Sequence, residues 1–399
     1  MRFRFRRLAG AVLAAAVASA SAGCGSDSAT ADHDPKLDVG SYSTQRLDSG
    51  YDDRPSLDRG ILVDSLRLGE RIAFGSEVAA EFAAGQGGQV LASAQGIRNI
   101  PGVSEEAMYQ YHPLAVYFAH SAETPFLGAH QHHFELSIAL IAFPDEQAAA
   151  AAASDLEQHD NAVNGRTIKN EAVALPDYPA ALSHWRPGVP NMVSWMAYKT
   201  IVVAVDVQAR EAKLDLLTDY VSKTYKQQLP RLDGYTASPR VQQPSLKIDP
   251  DKLLTKLVKT GDAHPDQRDF AVYAPRAFAV LGTDPAVTAR EFDTRGVKSI
   301  AVSNNKYLYQ LRDAAAARDF TGFLASDPTV SNYGSMAGVS GAPEIACFKA
   351  AKPNPTVVSA RRFRCLIPHD TLVSEVFSEQ ELDVRQLAAA EYVLLKDAG

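Results

Sequence analysis

Five of the chain's ten histidines cluster between positions 112 and 133: His112, His120, His130, His132 and His133. In a strand, His130 and His132 share one face, because side chains repeat every second residue. Two imidazoles on one face make half of a Zn²⁺ or Cu²⁺ site. His112, His120 or Glu123 would supply a third ligand. The plainer alternative is a loop entering a strand, its histidines solvated. Metal-assisted hydrolysis also needs an open coordination position and a nearby base, and the sequence displays neither. No metal ligand is assigned.

Nucleophilic chemistry finds no better pattern. A Gly-x-Ser-x-Gly elbow is absent, and Gly334-Ser335-Met336-Ala337-Gly338 carries its serine one place off. Asp52-Asp53 and Glu105-Glu106 are adjacent in the chain, cannot face each other, and are expected to be solvated. The glycine-rich residues 85–88 follow no strong buried strand and open no clear helix, so they make a weak phosphate cradle. His184, Trp185 and Trp195 form either an aromatic recognition surface or packing, and packing is the expectation. No catalytic residue is assigned and no cofactor is implied.

Cysteine is scarce, with Cys24, Cys347 and Cys365 only. Residues 2–7 are rich in arginine, and residues 8–20 form an uncharged run of Ala, Val, Leu, Gly and Ser. That run suits the apolar region of an export signal and is too short to span a bilayer. Ser21-Ala22-Gly23-Cys24 follows and resembles the lipobox of bacterial lipoproteins, with Ser21 where leucine is usual. The resemblance implies a diacylglyceryl group on the Cys24 sulfur, palmitate-type acyl chains, and cleavage of signal peptide 1–23. An ordinary secretory signal with an incidental cysteine is the alternative. Residues 24–40 read as a flexible tether. Cys347 and Cys365 lie in strand-like runs separated by Lys352-Pro353-Asn354-Pro355. They are expected to face each other and to oxidise outside the cytoplasm; free thiols or a metal pair are the alternatives.

The elements that would hold these residues belong to an ordinary globular chain. It has 399 residues, 46% hydrophobic and 22% charged, with a formal net charge of −7. Removing the four leader arginines leaves 36 basic residues against 47 acidic ones. No sustained basic patch follows residue 7, which argues against nucleic acid as a partner. An anionic body does not hold an anionic membrane by charge, so the expected membrane partner is reached through lipid, which needs two acyl chains for stable anchoring.

Residues 134–143 are strand-like, and Pro144-Asp145-Glu146 opens an alanine-rich helix. Residues 191–198 and 200–207 are two strands turning at Lys199, and residues 211–229 form a helix that Pro230 stops. The order strand, helix, strand, strand, helix returns in residues 297–311, 313–325, 345–349, 361–376 and 379–396. Thr200-Ile201-Val202 with Val205 aligns with Thr371-Leu372-Val373 with Val376, 171 positions later. This predicts an α+β protein of duplicated β-α-β-β-α units (split βαβ, ferredoxin-like), each an antiparallel sheet with helices on one face. The expected domains are 41–235 and 252–399, joined by a Pro-, Ser- and Gln-rich linker at 236–251. Before the first unit, residues 64–68 read as a strand and 76–82 as a short helix.

Several segments together are similar to a family of actinobacterial cell-envelope lipoproteins of unassigned function. They are Arg59-Gly60-Ile61-Leu62-Val63-Asp64, Phe143-Pro144-Asp145-Glu146, Gln228-Leu229-Pro230-Arg231-Leu232, Ala271-Val272-Tyr273-Ala274-Pro275-Arg276, residues 307–315, and Cys365 with Ala388-Ala389-Ala390-Glu391-Tyr392. The resemblance implies a two-domain, lipid-anchored envelope protein, and carries over no catalytic residue. The expected function is a non-enzymatic binding, scaffolding or sensing module, exported and held at the outer face of the cytoplasmic membrane, with an envelope protein as partner. The competing classes are a carrier of a hydrophobic ligand between the domains and a metal-dependent secreted hydrolase using the histidine cluster.

Overall fold

Asp145 and Asp313 begin two alanine-rich helices in the same way. Each carboxylate accepts the backbone N–H three residues on, at Ala148 (2.7 Å) and Ala316 (2.8 Å). This is the side-chain cap that satisfies an orphan amide at a helix start. Each aspartate follows a central strand of one of two sheets, and the sheets repeat one topology.

The computed structural model describes residues 37–90, 110–125, 132–162, 169–261, 269–326, 333–350 and 361–397. The leader, Cys24, the expected tether up to residue 36, Glu105, Glu106, His130 and residues 351–360 lie outside them. The helices are α1 (Gly50–Asp53), α2 (Leu57–Gly69), α3 (Gly75–Val78), α4 (Glu146–Ala162), α5 (Leu214–Gln228), α6 (Pro275–Ala279), α7 (Pro285–Arg295), α8 (Ala314–Ser326) and α9 (Glu381–Lys396). The first sheet holds β1 (Ala84–Val90), β2 (Ala115–Ala122), β3 (Glu135–Ala142), β4 (Glu171–Val173), β5 (Leu182–Trp185), β6 (Asn191–Tyr198) and β7 (Ile201–Gln208). The second holds β8 (Phe270–Tyr273), β9 (Val297–Ser303), β10 (Lys306–Leu311), β11 (Tyr333–Met336), β12 (Ala346–Ala350), β13 (Phe363–His369) and β14 (Leu372–Ser378).

Both sheets are antiparallel. Their orders are β1-β2-β3-β7-β6-β5-β4 and β8-β9-β10-β14-β13-β12-β11. Three strands, a helix and four strands make each sheet, and the last strand returns beside the third. The expected β-α-β-β-α unit is the centre of each sheet, widened by flanking strands. The hairpins β6–β7 and β13–β14 turn at Lys199 and Asp370, both with positive φ (54° and 48°) and 171 positions apart.

Helices cover both faces of the sheets, not one. Ala149, Ala152, Ala153 and Leu156 of α4 pack with Ile141, Trp195 and Val202. Leu217, Val221 and Tyr225 of α5 pack in the main core with Val203 and Val205. Adjacent strand residues point to opposite faces, so Val202 and Val203 each meet a different helix. The reason is legible in β3 and β7, whose apolar residues run without alternation, as strands buried on both faces do.

Three local expectations change. Residues 64–68 lie inside α2, begun by the Ser56 side chain accepting from Arg59 N. The glycine-rich residues 85–88 lie within β1, where Gly85 N donates to Thr283 O at 3.0 Å. Asp52 is buried, pairs with Arg59 at 3.2 Å, and accepts from the amides of Ile248 and Asp249.

Residues 236–251 are packed along α2. Ser238 N and Gln243 Nε2 donate to Asp64, and Arg59 donates to the carbonyls of Pro244 and Leu246. Leu37–Gly399 forms one compact unit, and the main apolar core includes residues of both sheets. Arg276 of α6 reaches Ile72 O and Glu77, and Tyr51 meets Phe270 edge-on at 4.8 Å.

Candidate functional site

The antiparallel register lays one polar row across the α4 face of the first sheet. His120, Ser137, Asp206, Val193 and His184 are directly opposed, strand to strand, from β2 through β3, β7 and β6 to β5. Directly opposed residues lie on the same face with Cβ atoms ~5 Å apart. The C-terminal turn of α4 brings Glu157 and Asp160 onto this row. His184 is buried, with Nδ1 3.2 Å from Glu157 and Nε2 3.0 Å from Asp160. Burial opposes its charge, but the Asp160 hydrogen bond and the two carboxylates outweigh it and raise its pKa. Each ring nitrogen thus lies within ion-pair distance of a carboxylate, which favours the charged imidazole.

Asp206 stands between these groups. Burial pushes its carboxyl up to about 6, opposed by the hydrogen bond from Asn191 Nδ2 and reinforced by the charges of Asp160 and Glu135; His184 pulls it down. At the other end of the row, His120 Nδ1 lies 2.9 Å from Ser137 Oγ, and Nε2 lies 3.9 Å from Glu135. Burial lowers the His120 pKa, against the Glu135 charge.

Beside the row is a small depression, open to solvent on one side, with room for about one water molecule. Phe118, Ala139, Val193, Trp195 and Ala204 wall it, with Ser137 and Asp206 at its polar rim. Trp195 is fully buried, and its Nε1–H has no hydrogen-bond partner.

The histidine cluster converges only in part. His120 is in β2, while His132 and His133 precede β3 in a turn and are not strand residues. His133 is local to Glu123, whose Oε1 accepts from its backbone N at 3.0 Å. His112 precedes β2 at the far end of that strand, eight residues from His120, and at ~3.4 Å per residue it cannot share a site with it. His130 lies outside the described residues. Among the described residues no group of three or more His, Cys, Asp or Glu side chains is placed to hold a metal ion. Sequence reasoning missed Asp206, Glu157 and Asp160, and it saw His184 only as a neighbour of tryptophan.

The other expected residues fall as follows. Cys347 and Cys365 are directly opposed on β12 and β13 and form a disulfide. Ser335 is exposed on β11, the last strand of its sheet. Trp195 packs under α4, and Trp185 Nε1 donates to Val189 O.

Two family models match this chain. The N-terminal domain of unknown function DUF7373 matches residues 51–248, and its C-terminal counterpart matches 253–398. The chain belongs to the DUF7373 family. The polar row and the disulfide therefore belong one to each DUF7373 half. Among solved structures, the extracellular domain of PknH from Mycobacterium tuberculosis is 14% identical over 31% of this chain and 70% of that one, with a TM-score of 0.23. No curated protein matches. Among the described residues no helix is long and apolar enough to cross a membrane.

Proposed function

We propose that this is an exported cell-envelope protein, anchored by lipid on Cys24 at the outer face of the cytoplasmic membrane, which works there by binding and not by catalysis. The Cys347–Cys365 disulfide carries the reading. Such bonds persist where the surroundings oxidise thiols, and the third cysteine stands behind an apolar leader in a lipobox-like setting. The resemblance to actinobacterial envelope lipoproteins supports the same address. Binding is favoured over catalysis because the sequence carries no catalytic motif and His184 stands between two carboxylates and not beside a nucleophile.

The test is fractionation of cells with mass spectrometry of the N-terminus. The wild-type chain is expected in the membrane fraction, starting at a diacylated Cys24. Cys24→Ala is expected to be released or unprocessed. A variant that stays membrane-bound with normal cleavage overturns the anchor.

Ser137 and His120 favour a second reading, an exported serine hydrolase. The 2.9 Å contact is that of a nucleophile and its base. Against it, Glu135 is beyond hydrogen-bond reach of Nε2, and β3 is paired on both sides, so its amides serve the ladders and not an oxyanion. Labelling by a fluorophosphonate that disappears in Ser137→Ala would establish the hydrolase.

A further inference from the structure

The ladder of the second sheet can be followed outward to its last strand, and it shows which backbone groups of that strand are left over. Cys347 and Cys365 are directly opposed with Cα atoms 4.1 Å apart. In an antiparallel pair this is the close spacing of residues that do not bond each other, about 4.5 Å, and not the ~5.5 Å of a hydrogen-bonded pair. Cys347 therefore turns its N–H and C=O away from β13 and toward β11. The alternation sends the amide of Ala350 to the other side, and it does donate there, to Arg362 O at 2.9 Å. Met336 and Gly334, opposite Cys347 and Lys349, are thus the bonded positions of β11. Tyr333 and Ser335 alternate with them and point their N–H and C=O groups outward, where β11 ends the sheet.

Edge strands are commonly guarded by a charge, a proline or a bulge. The corresponding strand of the first sheet, β4, carries the exposed Glu171, and β1 is bulged between Gly85 and Gly88. β11 reads Tyr-Gly-Ser-Met in unbroken register, with Gly334 and Ser335 exposed. Nothing in the backbone demands the glycine: its φ is not positive, and a Cβ would meet nothing nearer than Lys349 O at 4.0 Å. Its missing side chain uncovers Lys349, which lies directly opposite on the same face and is exposed. The Lys349 ammonium and the Arg362 guanidinium lie over the Phe363 ring at 5.6 and 5.5 Å, and among the described residues neither pairs with a carboxylate. A chain of net charge −7 thus presents two uncompensated cations beside an open ladder.

We propose that the outer edge of β11 takes an extended acidic segment of another protein as an added antiparallel strand, with a glutamate or aspartate opposite Gly334. Main-chain bonds to Tyr333 and Ser335 hold the segment, as when a peptide extends a sheet. The residue opposite Gly334 shares a face with Lys349 two strands away, about 10 Å between backbones. An acidic side chain and the lysine span that distance together, because Gly334 puts nothing between them. A second copy of β11 is a poor occupant, since Tyr333–Met336 carries no acid and self-pairing would bring the Lys349 side chains of both copies onto one face. The inference deepens the binding reading above and rests on it, and its failure would leave export and anchoring, which fractionation reads separately, untouched.

The test titrates the full chain in detergent with a fluorescein-labelled peptide, Thr-Val-Glu-Val-Thr-Val, followed by anisotropy and by hydrogen–deuterium exchange read residue by residue. Saturable binding is expected to slow exchange at Tyr333 and Ser335 by at least about fivefold, and to leave Gly334 and Met336, already bonded in the ladder, unchanged. The same peptide methylated on the amides of its bonding edge is expected not to bind. Thr-Val-Lys-Val-Thr-Val is expected to bind about fivefold more weakly or worse. Lys349→Glu is expected to reverse the order of the two peptides, which a loss of folding cannot do. Ser335→Pro removes an outward N–H at a place where an edge strand tolerates proline. Once shown to be folded by its thermal melt, it is expected to weaken binding by at least about fivefold. No saturable binding, equal affinity for the two peptides, or undiminished binding by folded Ser335→Pro overturns the proposal. Protection of Tyr333 and Ser335 that grows with chain concentration in the absence of peptide assigns the edge to a second copy and overturns it too.

Discussion

Ser194 occupies in the first sheet the position that Cys365 occupies in the second. Each sits on the next-to-last strand, opposite a residue of the same kind: Ser183 on β5 and Cys347 on β12. The serines are buried and joined Oγ to Oγ at 2.6 Å, and Ser194 Oγ also meets Tyr225 Oη at 2.7 Å. One duplicated position is thus closed by a hydrogen bond in one half and by a covalent bond in the other.

The swap can be made in either direction. Closing a loop of ~15 residues contributes about 3 kcal/mol in the chain-entropy model. Ser183→Cys with Ser194→Cys is expected to form a second disulfide and raise the melting temperature, less the lost contact to Tyr225. Cys347→Ser with Cys365→Ser is expected to lose about 2–4 kcal/mol, and less than the double alanine variant, because a serine pair can restore a hydrogen bond. Thermal melts with and without reductant measure both.

Asp206 makes stability depend on pH in a definite sense. Its folded pKa of about 6 stands above the ordinary 3.8, so the folded chain holds the proton more tightly than the unfolded one. The stability conferred is complete below pH ~4 and is lost as the pH rises through about 6. Asp206→Asn removes this titration. Urea unfolding should find variant and wild type alike at pH 4 and the variant more stable at pH 7.5, by up to about 3 kcal/mol at 1.36 kcal/mol per unit. Equal stabilities at both pH values would show that the carboxylate is fully hydrated.

The segment 236–251 is held by close approach to α2. A Cβ on Gly60 would stand 2.0 Å from Gln243 O, a backbone atom. Gly60→Ala is expected to destabilise by at least about 1–3 kcal/mol. Gly322 of α8 has open space around its Cβ position, and Gly322→Ala is expected to stabilise by about 0.5–1 kcal/mol. Opposite shifts of the urea midpoint would separate the packed glycine from the merely flexible one.

Lys306 and Glu391 lie deep in the second half and feel each other's charge, while burial depresses the lysine pKa and raises that of the acid; Lys306 Nζ donates to Thr260 Oγ1 and Asn305 Oδ1. Glu391 accepts from Val258 N and Ser374 Oγ. Removing one of two buried opposite charges leaves the other uncompensated, while replacing both by apolar groups is often neutral. Glu391→Leu alone is expected to be severe, and Lys306→Met with Glu391→Leu milder than either single change, as urea unfolding would show.

The linear order of residues carries local information, and it was enough for the cysteine pair, the alanine-rich helices and the 171-residue repeat. Each rests on neighbours close in the chain or on a period that one strand or helix displays alone. The reading failed where that period misled: 64–68 is apolar enough for a strand, but the Ser56 cap and the contact with Gln243 make it helix. The row His120–Ser137–Asp206–His184 was invisible for another reason. Its members come from four strands up to 86 positions apart, and a slip of one residue in any register would turn that strand's side chain to the opposite face. Pairing alone brings these side chains together, and Asp206 owes its raised pKa to the burial and neighbouring charge that the pairing creates.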